Sequence, residues 1–260
     1  MRPLLSSLCK NDVEMAKLKP GWYVLIALAL YALVVTLAWR HDRAELHRLR
    51  AALAGTSVSG KATAVGESGK YVLPLPGACL PQEPEHLPGY PREYRKGANY
   101  GFIFTGDDAC VPVVYGMGVV ADQGGRILKA EQRYKEMTPA QFDKLIKDVA
   151  DGATPEEMDK LRGREIWIEH PDGRISVYAH LSGIRPDLRE GDLVKKGEWI
   201  GYLGNSGTQA AVLGSHEGAR LLLEVWKDAV DRGTYLGQGL DPRKNARQIL
   251  AQAKALFEVP

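Results

Sequence analysis

Cysteine is scarce in this chain: Cys9, Cys79 and Cys110 are the only three in 260 residues, and no C-x-x-C or C-x-x-C-H pair occurs. That excludes a disulfide-built miniprotein, a thioredoxin-type thiol site, a zinc ribbon and attached haem. An excess of charge is also missing, since 34 Lys and Arg stand against 32 Asp and Glu for a net of +2. So weak a field argues against nucleic acid as a partner. With so few thiols, any metal ion has to be held by imidazole and carboxylate. Disordered and collagen-like chains are excluded by a composition that is 45% apolar and 25% charged. Long apolar runs are limited to one.

That run extends from Pro20 to Trp39, carries no charge, lies between Lys19 and Arg40, and has Trp22, Tyr23 and Trp39 near its ends. At about 1.5 Å per residue it matches the ~30 Å hydrocarbon core, with aromatic rings at headgroup depth. We expect a transmembrane helix over residues 20–39 after a cytoplasmic tail of residues 1–19. The competing reading is a cleaved signal peptide, because Ala52-Leu53-Ala54 has the A-x-A form; it lies too far beyond the apolar stretch, which exceeds an ordinary h-region. Basic residues flank both ends (Arg2, Lys10, Lys17 and Lys19; Arg40, Arg43, Arg48 and Arg50), so charge alone does not orient the helix. Cys79 and Cys110 share the large C-terminal side. A disulfide between them implies an oxidising compartment there; two unrelated buried thiols are the alternative.

Residues 40–70 read as a helical stalk, with Leu46, Leu49 and Leu53 at helical spacing, followed by a Gly/Ser/Thr/Ala tether from Gly55 to Lys70. The stripe is either one side of an oligomer contact through the stalk or the face of a lone solvated helix. Residues 71–98 hold Pro74, Pro76, Pro81, Pro84, Pro88 and Pro91, which predicts an extended lead-in lying on the body that follows.

Short apolar, β-branched runs follow at Gly101–Phe104, Val111–Val120, Glu165–Glu169, Ile175–Tyr178, Trp199–Leu203 and Leu221–Trp226, separated by turn signals such as Pro171-Asp172-Gly173. They predict a mainly β domain over residues 99–240 with antiparallel strands. Residues 129–162 interrupt it. Thr138-Pro139-Ala140-Gln141 and Thr154-Pro155-Glu156-Glu157 each have the form of N-cap, N1 proline and capping-box partner, with Gly152 and Gly163 as stops, so a two-helix insertion is expected. Residues 241–260 read as a C-terminal helix capped by Asp241, with Ile249, Leu250, Ala253 and Leu256 on its apolar face.

The stretch from Ile166 to Thr208, IWIEHPDGRISVYAHLSGIRPDLREGDLVKKGEWIGYLGNSGT, resembles the LytM/lysostaphin-type zinc metallopeptidases that cut peptidoglycan cross-links. Tyr178, His180, Leu181, Ser182, Gly191, Asp192, Val194, Gly197, Ile200, Gly201, Gly204 and Gly207 fall in register with that family's Y-x-H-L-S and spaced-glycine pattern. Val111-Pro112-Val113, Gly118-Val119-Val120 and Leu223-Glu224-Val225 add to it, so the likeness covers about residues 95–226. It implies a LytM-like β-sandwich or hybrid barrel whose groove holds one zinc. The ligands in active relatives come from an H-x-x-x-D motif and the second histidine of H-x-H; the first histidine of H-x-H and the Y-x-H-L-S histidine act on the zinc-bound water and oxyanion.

This sequence departs from that pattern. Asn99 and Ile103 stand at the H-x-x-x-D positions, and Arg220 and Leu222 at the H-x-H positions; His180 alone is retained. Ile103 and Leu222 offer no lone pair, so we expect zinc, the cofactor of active relatives, to be absent. Asp107, Asp108, His170 and His216 are nearby in sequence but restore neither motif, and His170 reads as a turn residue. Four positions remain as groove candidates: Tyr178, His180, Arg220 and Asn99. His180 is either a contact to a ligand or a strand-end residue held by a hydrogen bond. Arg220 either grips an anionic group such as a stem-peptide carboxylate or is a surface arginine.

With the ligands lost from that pattern, and with the apolar run at residues 20–39, the expectation is a catalytically inactive, membrane-anchored protein of the bacterial inner membrane with its C-terminal domain in the periplasm. Degenerate relatives act as activators of cell-wall amidases or as scaffolds, so the expected role is regulator or scaffold of peptidoglycan remodelling, with peptidoglycan, a hydrolase or another envelope protein as partner. Two alternatives stay open: an active zinc endopeptidase with relocated ligands, and a structural component of an envelope-spanning complex.

Overall fold

The computed structural model describes residues 69–106, 108–227 and 233–259. The expected tail, transmembrane helix and all but the last two residues of the stalk and tether lie outside them. Among the described residues no helix is long and apolar enough to cross a membrane.

Among the described residues eleven strands run in chain order: β1 Pro91–Arg92, β2 Gly97–Ala98, β3 Gly101–Phe104, β4 Gly118–Val120, β5 Gly125–Ala130, β6 Ile166–Glu169, β7 Ile175–Ala179, β8 Leu181–Ile184, β9 Leu193–Val194, β10 Trp199–Leu203 and β11 Leu221–Trp226. All pair antiparallel, in a six-stranded sheet of order β3-β11-β7-β6-β5-β9, a three-stranded sheet β4-β10-β8 and a hairpin β1-β2. The larger sheet sorts its side chains by the period of two. Phe102, Leu223, Tyr178 and Ile166 are successive cross-strand partners and join the main core. On the alternate positions, Ile103, Leu222 and Ala179 are cross-strand partners and form a small apolar cluster of their own.

Four α-helices, α1 Pro139–Asp148, α2 Pro155–Arg162, α3 Gln209–Val212 and α4 Pro242–Leu256, and three short 3-10 helices, Pro84–His86, Glu93–Arg95 and Val149–Asp151, complete the described chain. Both insertion helices form where their caps predict. Thr138 and Thr154 each accept the N3 amide, while Gln141 and Glu157 return a bond to the cap, satisfying two orphan donors per helix. Strand β5 runs to Ala130, so the insertion begins after the predicted residue 129. Asp241 caps α4, which buries Ile249 and Ala253 with Leu250 and Leu256 packed beside them. Tyr71 donates its amide to Leu256 O (2.9 Å) and accepts from Glu258 N (2.6 Å), tying the two ends of the domain together.

Three expectations need correction. Val111–Val120 is a strand only at Gly118–Val120: Cys110 at φ 59° and Gly116 at φ 84° turn the chain, and Pro112 has no amide to pair. Strands β5, β8 and β9 were not expected. In β5 only Gly125 and Ile127 are buried, against an exposed Arg126 and Leu128, so its alternation is faint. The proline-rich 71–98 segment is part of the core rather than a lead-in laid upon it, since Tyr71, Leu73, Leu75, Leu80 and Leu87 are all buried. Nor is it extended throughout: 3-10 turns at Pro84–His86 and Glu93–Arg95 and the β1–β2 hairpin fold it back, Pro84 starting the first of them at a position where no amide is needed. Cys79 and Cys110 are joined as a disulfide, with Cα atoms 5.5 Å apart.

Candidate functional site

On the face of the large sheet that carries Ile103, Leu222 and Ala179, a groove of about 690 Å³ opens between the β1–β2 hairpin and the two-helix insertion. Ile103 and Leu222, directly paired on β3 and β11, line it. Phe142 and Ile146 of α1 and Met158, Leu161 and Arg162 of α2 add to the lining. Gly207, Thr208 and Gln209 belong to it also, beside His180. The insertion is held there by Gly163, whose φ of +69° ends α2 and whose missing Cβ would lie 2.4 Å from the Ser206 carbonyl carbon. Only glycine fits such an approach.

The sequence-derived residues fall into two groups. Asn99, Ile103, His180, Arg220 and Leu222 all line this groove. Tyr178 does not: it is fully buried on the core face of β7, where its hydroxyl donates to Asp122 Oδ1 (2.6 Å) and accepts from Asp122 N (2.8 Å). Its pairing opposite Leu223 rather than Leu222 puts it on the other side of the sheet.

Each groove residue is held by local bonds. Asn99 is buried and spends its amide on backbone, donating Nδ2 to Leu87 O (2.9 Å) and Gly101 O (2.7 Å). His180 sits at φ +64°, donates its backbone amide to Arg162 O (2.8 Å) and places Nδ1 2.8 Å from Ser206 O. A carbonyl only accepts, so Nδ1 carries the ring proton. Burial, opposed by the Ser206 bond and reinforced by Arg220, Arg162 and Arg92, pushes His180 down to about 4.

Sequence reasoning missed two arginines. Arg92 and Arg95, on and beside the β1–β2 hairpin, line the groove with Arg220, and among the described residues none of the three has a carboxylate partner. Arg92 Nη2 donates to Glu85 O (3.0 Å), Arg220 Nε to Gly218 O (3.0 Å), and Arg95 Nη2 to Ala98 O. Arg95 is only 5% exposed, and its Nε has no partner. Burial lowers the pKa of Arg92 and Arg220, and Arg95 and Arg220 lower Arg92 further. The only carboxylate in the lining is Asp143, which is exposed. The run Arg92-Glu93-Tyr94-Arg95-Lys96 shows basic character in the sequence, but nothing there places it beside Arg220.

These residues do not fit a zinc ion. Two of the three positions that the resemblance makes ligands, Ile103 and Leu222, are aliphatic, the Asn99 amide nitrogen is committed to carbonyls, and three guanidinium groups oppose a dication. The other described histidines lie elsewhere. His170 is buried with Nδ1 3.1 Å from Gly124 O and Nε2 2.8 Å from Ser176 Oγ, while His216 stacks on Tyr115 at 3.8 Å and lines a separate cavity. Asp108 accepts from Gln82 N and Glu83 N and approaches His86 Nδ1; Asp107 lies outside the described residues. Among the described residues no cluster of three His, Cys, Asp or Glu side chains is arranged to hold a metal.

The model of Peptidase family M23 matches residues 111–234. Among solved structures, a zinc-containing peptidase from Vibrio cholerae aligns at 17% identity and TM-score 0.38, over 60% of this chain and 36% of the other. This chain thus spans about a third of that protein's length. The catalytic domain of lysostaphin from Staphylococcus simulans aligns at 18% identity and TM-score 0.35, over 69% of this chain and 90% of the other. The SpoIIQ–SpoIIIAH pore-forming complex contains a chain that aligns at 18% identity and TM-score 0.40, over 70% of this chain and 98% of its own. A search of curated proteins found no match.

Proposed function

We propose, on the premise that residues 111–234 are a peptidase family M23 domain, that the protein works without zinc as a binding regulator or scaffold of peptidoglycan remodelling in the bacterial cell envelope. What carries this reading is that Ile103 and Leu222, at positions where the resemblance expects metal donors, pair directly across β3 and β11 beside arginines that have no carboxylate partner among the described residues. An apolar pair buries favourably where a carboxylate and imidazole without metal would be left unsatisfied. The groove itself persists, so binding survives the loss of hydrolysis. In this reading residues 20–39 anchor the chain in the inner membrane and the folded domain faces the periplasm, a location that the Cys79–Cys110 disulfide supports. The partners are peptidoglycan, a cell-wall hydrolase or another envelope protein.

The test is elemental analysis of the purified full-length protein after incubation with excess zinc and desalting, together with digestion of purified peptidoglycan. We expect far less than one zinc per chain and no chelator-sensitive release of fragments. One zinc per chain with chelator-sensitive digestion overturns the reading.

A further inference from the structure

We infer that the groove is a carboxylate receptor: Arg92, Arg95 and Arg220 take the C-terminal carboxylate of a peptide whose apolar side chains lie over Ile103 and Leu222. The inference rests on the zinc-free reading and names the ligand class of that same groove.

Three features carry it. Burying a cation without a counter-charge is costly, yet three guanidinium groups line one groove with no carboxylate partner among the described residues. Arg95 makes the point most sharply, because at 5% exposure its Nε bonds to nothing. An arginine fork matches a carboxylate in a bidentate manner, and such charge-assisted bonds are about twice as strong as neutral ones. The third feature is the lining beyond the arginines. Ile103, Leu222, Ile146 and Met158 give it an apolar patch beside the polar Thr208, Gln209 and Lys147, and that patch gives a peptide end with aliphatic side chains a contact that free phosphate does not use. At about 690 Å³ the groove lies within the ~300–1,000 Å³ of sites that enclose small ligands.

The test is calorimetric titration of the full-length protein in mild detergent with N-acetylated trileucine as the free acid, the same peptide as its C-terminal amide, and inorganic phosphate. We expect the acid to bind at least about tenfold more tightly than the amide, with an affinity that falls as salt rises. Arg220→Gln and Arg92→Gln should each weaken the acid about tenfold or more while leaving the amide unchanged. Arg95→Gln should do the same; because that side chain is buried, its melting curve is measured alongside, and the two less buried arginines keep the inference testable if it fails to fold. Equal binding of acid and amide, or no binding of the acid at millimolar concentration, overturns the assignment. Phosphate binding more tightly than the acid also overturns it and moves the groove to phosphate-bearing ligands. A metal-free protein that ignores the acid removes this inference alone, whereas one zinc per chain removes the reading beneath it.

Discussion

Arg162, the last residue of α2, grips Glu224 in the middle of β11 with two bonds, Nε to Oε1 at 3.0 Å and Nη2 to Oε2 at 2.8 Å. Glu224 is fully buried, and its Oε2 accepts a further bond from Trp226 Nε1 (2.8 Å). Asp159 joins from the same helix at 3.1 Å from Arg162 Nη1. This pair clips the insertion onto the sheet face that holds the groove. Arg162→Met strands the buried Glu224 carboxylate and should cost about 3–5 kcal/mol. Adding Glu224→Gln removes the stranded charge yet still accepts from Trp226, so the double variant should be the more stable of the two in urea unfolding. A single variant within about 0.5 kcal/mol of wild type would show that the pair does not hold the insertion.

His180 is held below its ordinary value of 6.5, at about 4, by burial and by the groove arginines. Between those values the unfolded chain binds a proton at this site and the folded chain does not, so stability drops as pH falls through that window and is steady above it. An NMR titration should find the His180 midpoint near 4. Arg220→Gln removes one of the positive charges responsible and should move the midpoint upward. A midpoint near 6.5 in the wild type would mean that the imidazole is solvated and out of the groove's field.

The Cys79–Cys110 bond spans a sequence separation of 31. Constraining a loop of that length in the unfolded chain contributes about 2–4 kcal/mol. Reductant should therefore lower the melting temperature of the wild type but not of Cys79→Ala/Cys110→Ala. Thiol titration of the denatured, unreduced protein should find one free thiol per chain, Cys9, among the three cysteines. Three free thiols would remove the argument for an oxidising compartment.

The departures from the peptidase pattern can be reversed in place. Ile103 and Leu222 are direct cross-strand partners, and both line the groove with Asn99 and Arg220. Asn99→His, Ile103→Asp, Arg220→His and Leu222→His together should give a protein that retains zinc after desalting. If the quadruple variant melts cooperatively yet stays metal-free, the assignment of those four positions is wrong.

Much of this site could be read before any coordinates. The strands at Gly101–Phe104, Trp199–Leu203 and Leu221–Trp226 and the capping boxes at Thr138 and Thr154 are matters of residue type at short spacing. A hydroxyl three residues before its partner glutamine or glutamate carries its chemistry locally. Tertiary structure alone decided three other things. It set Tyr178 against Asp122 rather than in the groove, because strand register selects which alternate side chains share a face. It folded the proline-rich segment into the core, because apolar residues such as Leu75 and Leu87 are buried only where the rest of the domain supplies a surface to receive them. And it brought Arg92 and Arg95 to Arg220 across more than a hundred intervening residues, building a predominantly basic groove from a chain whose net is only +2.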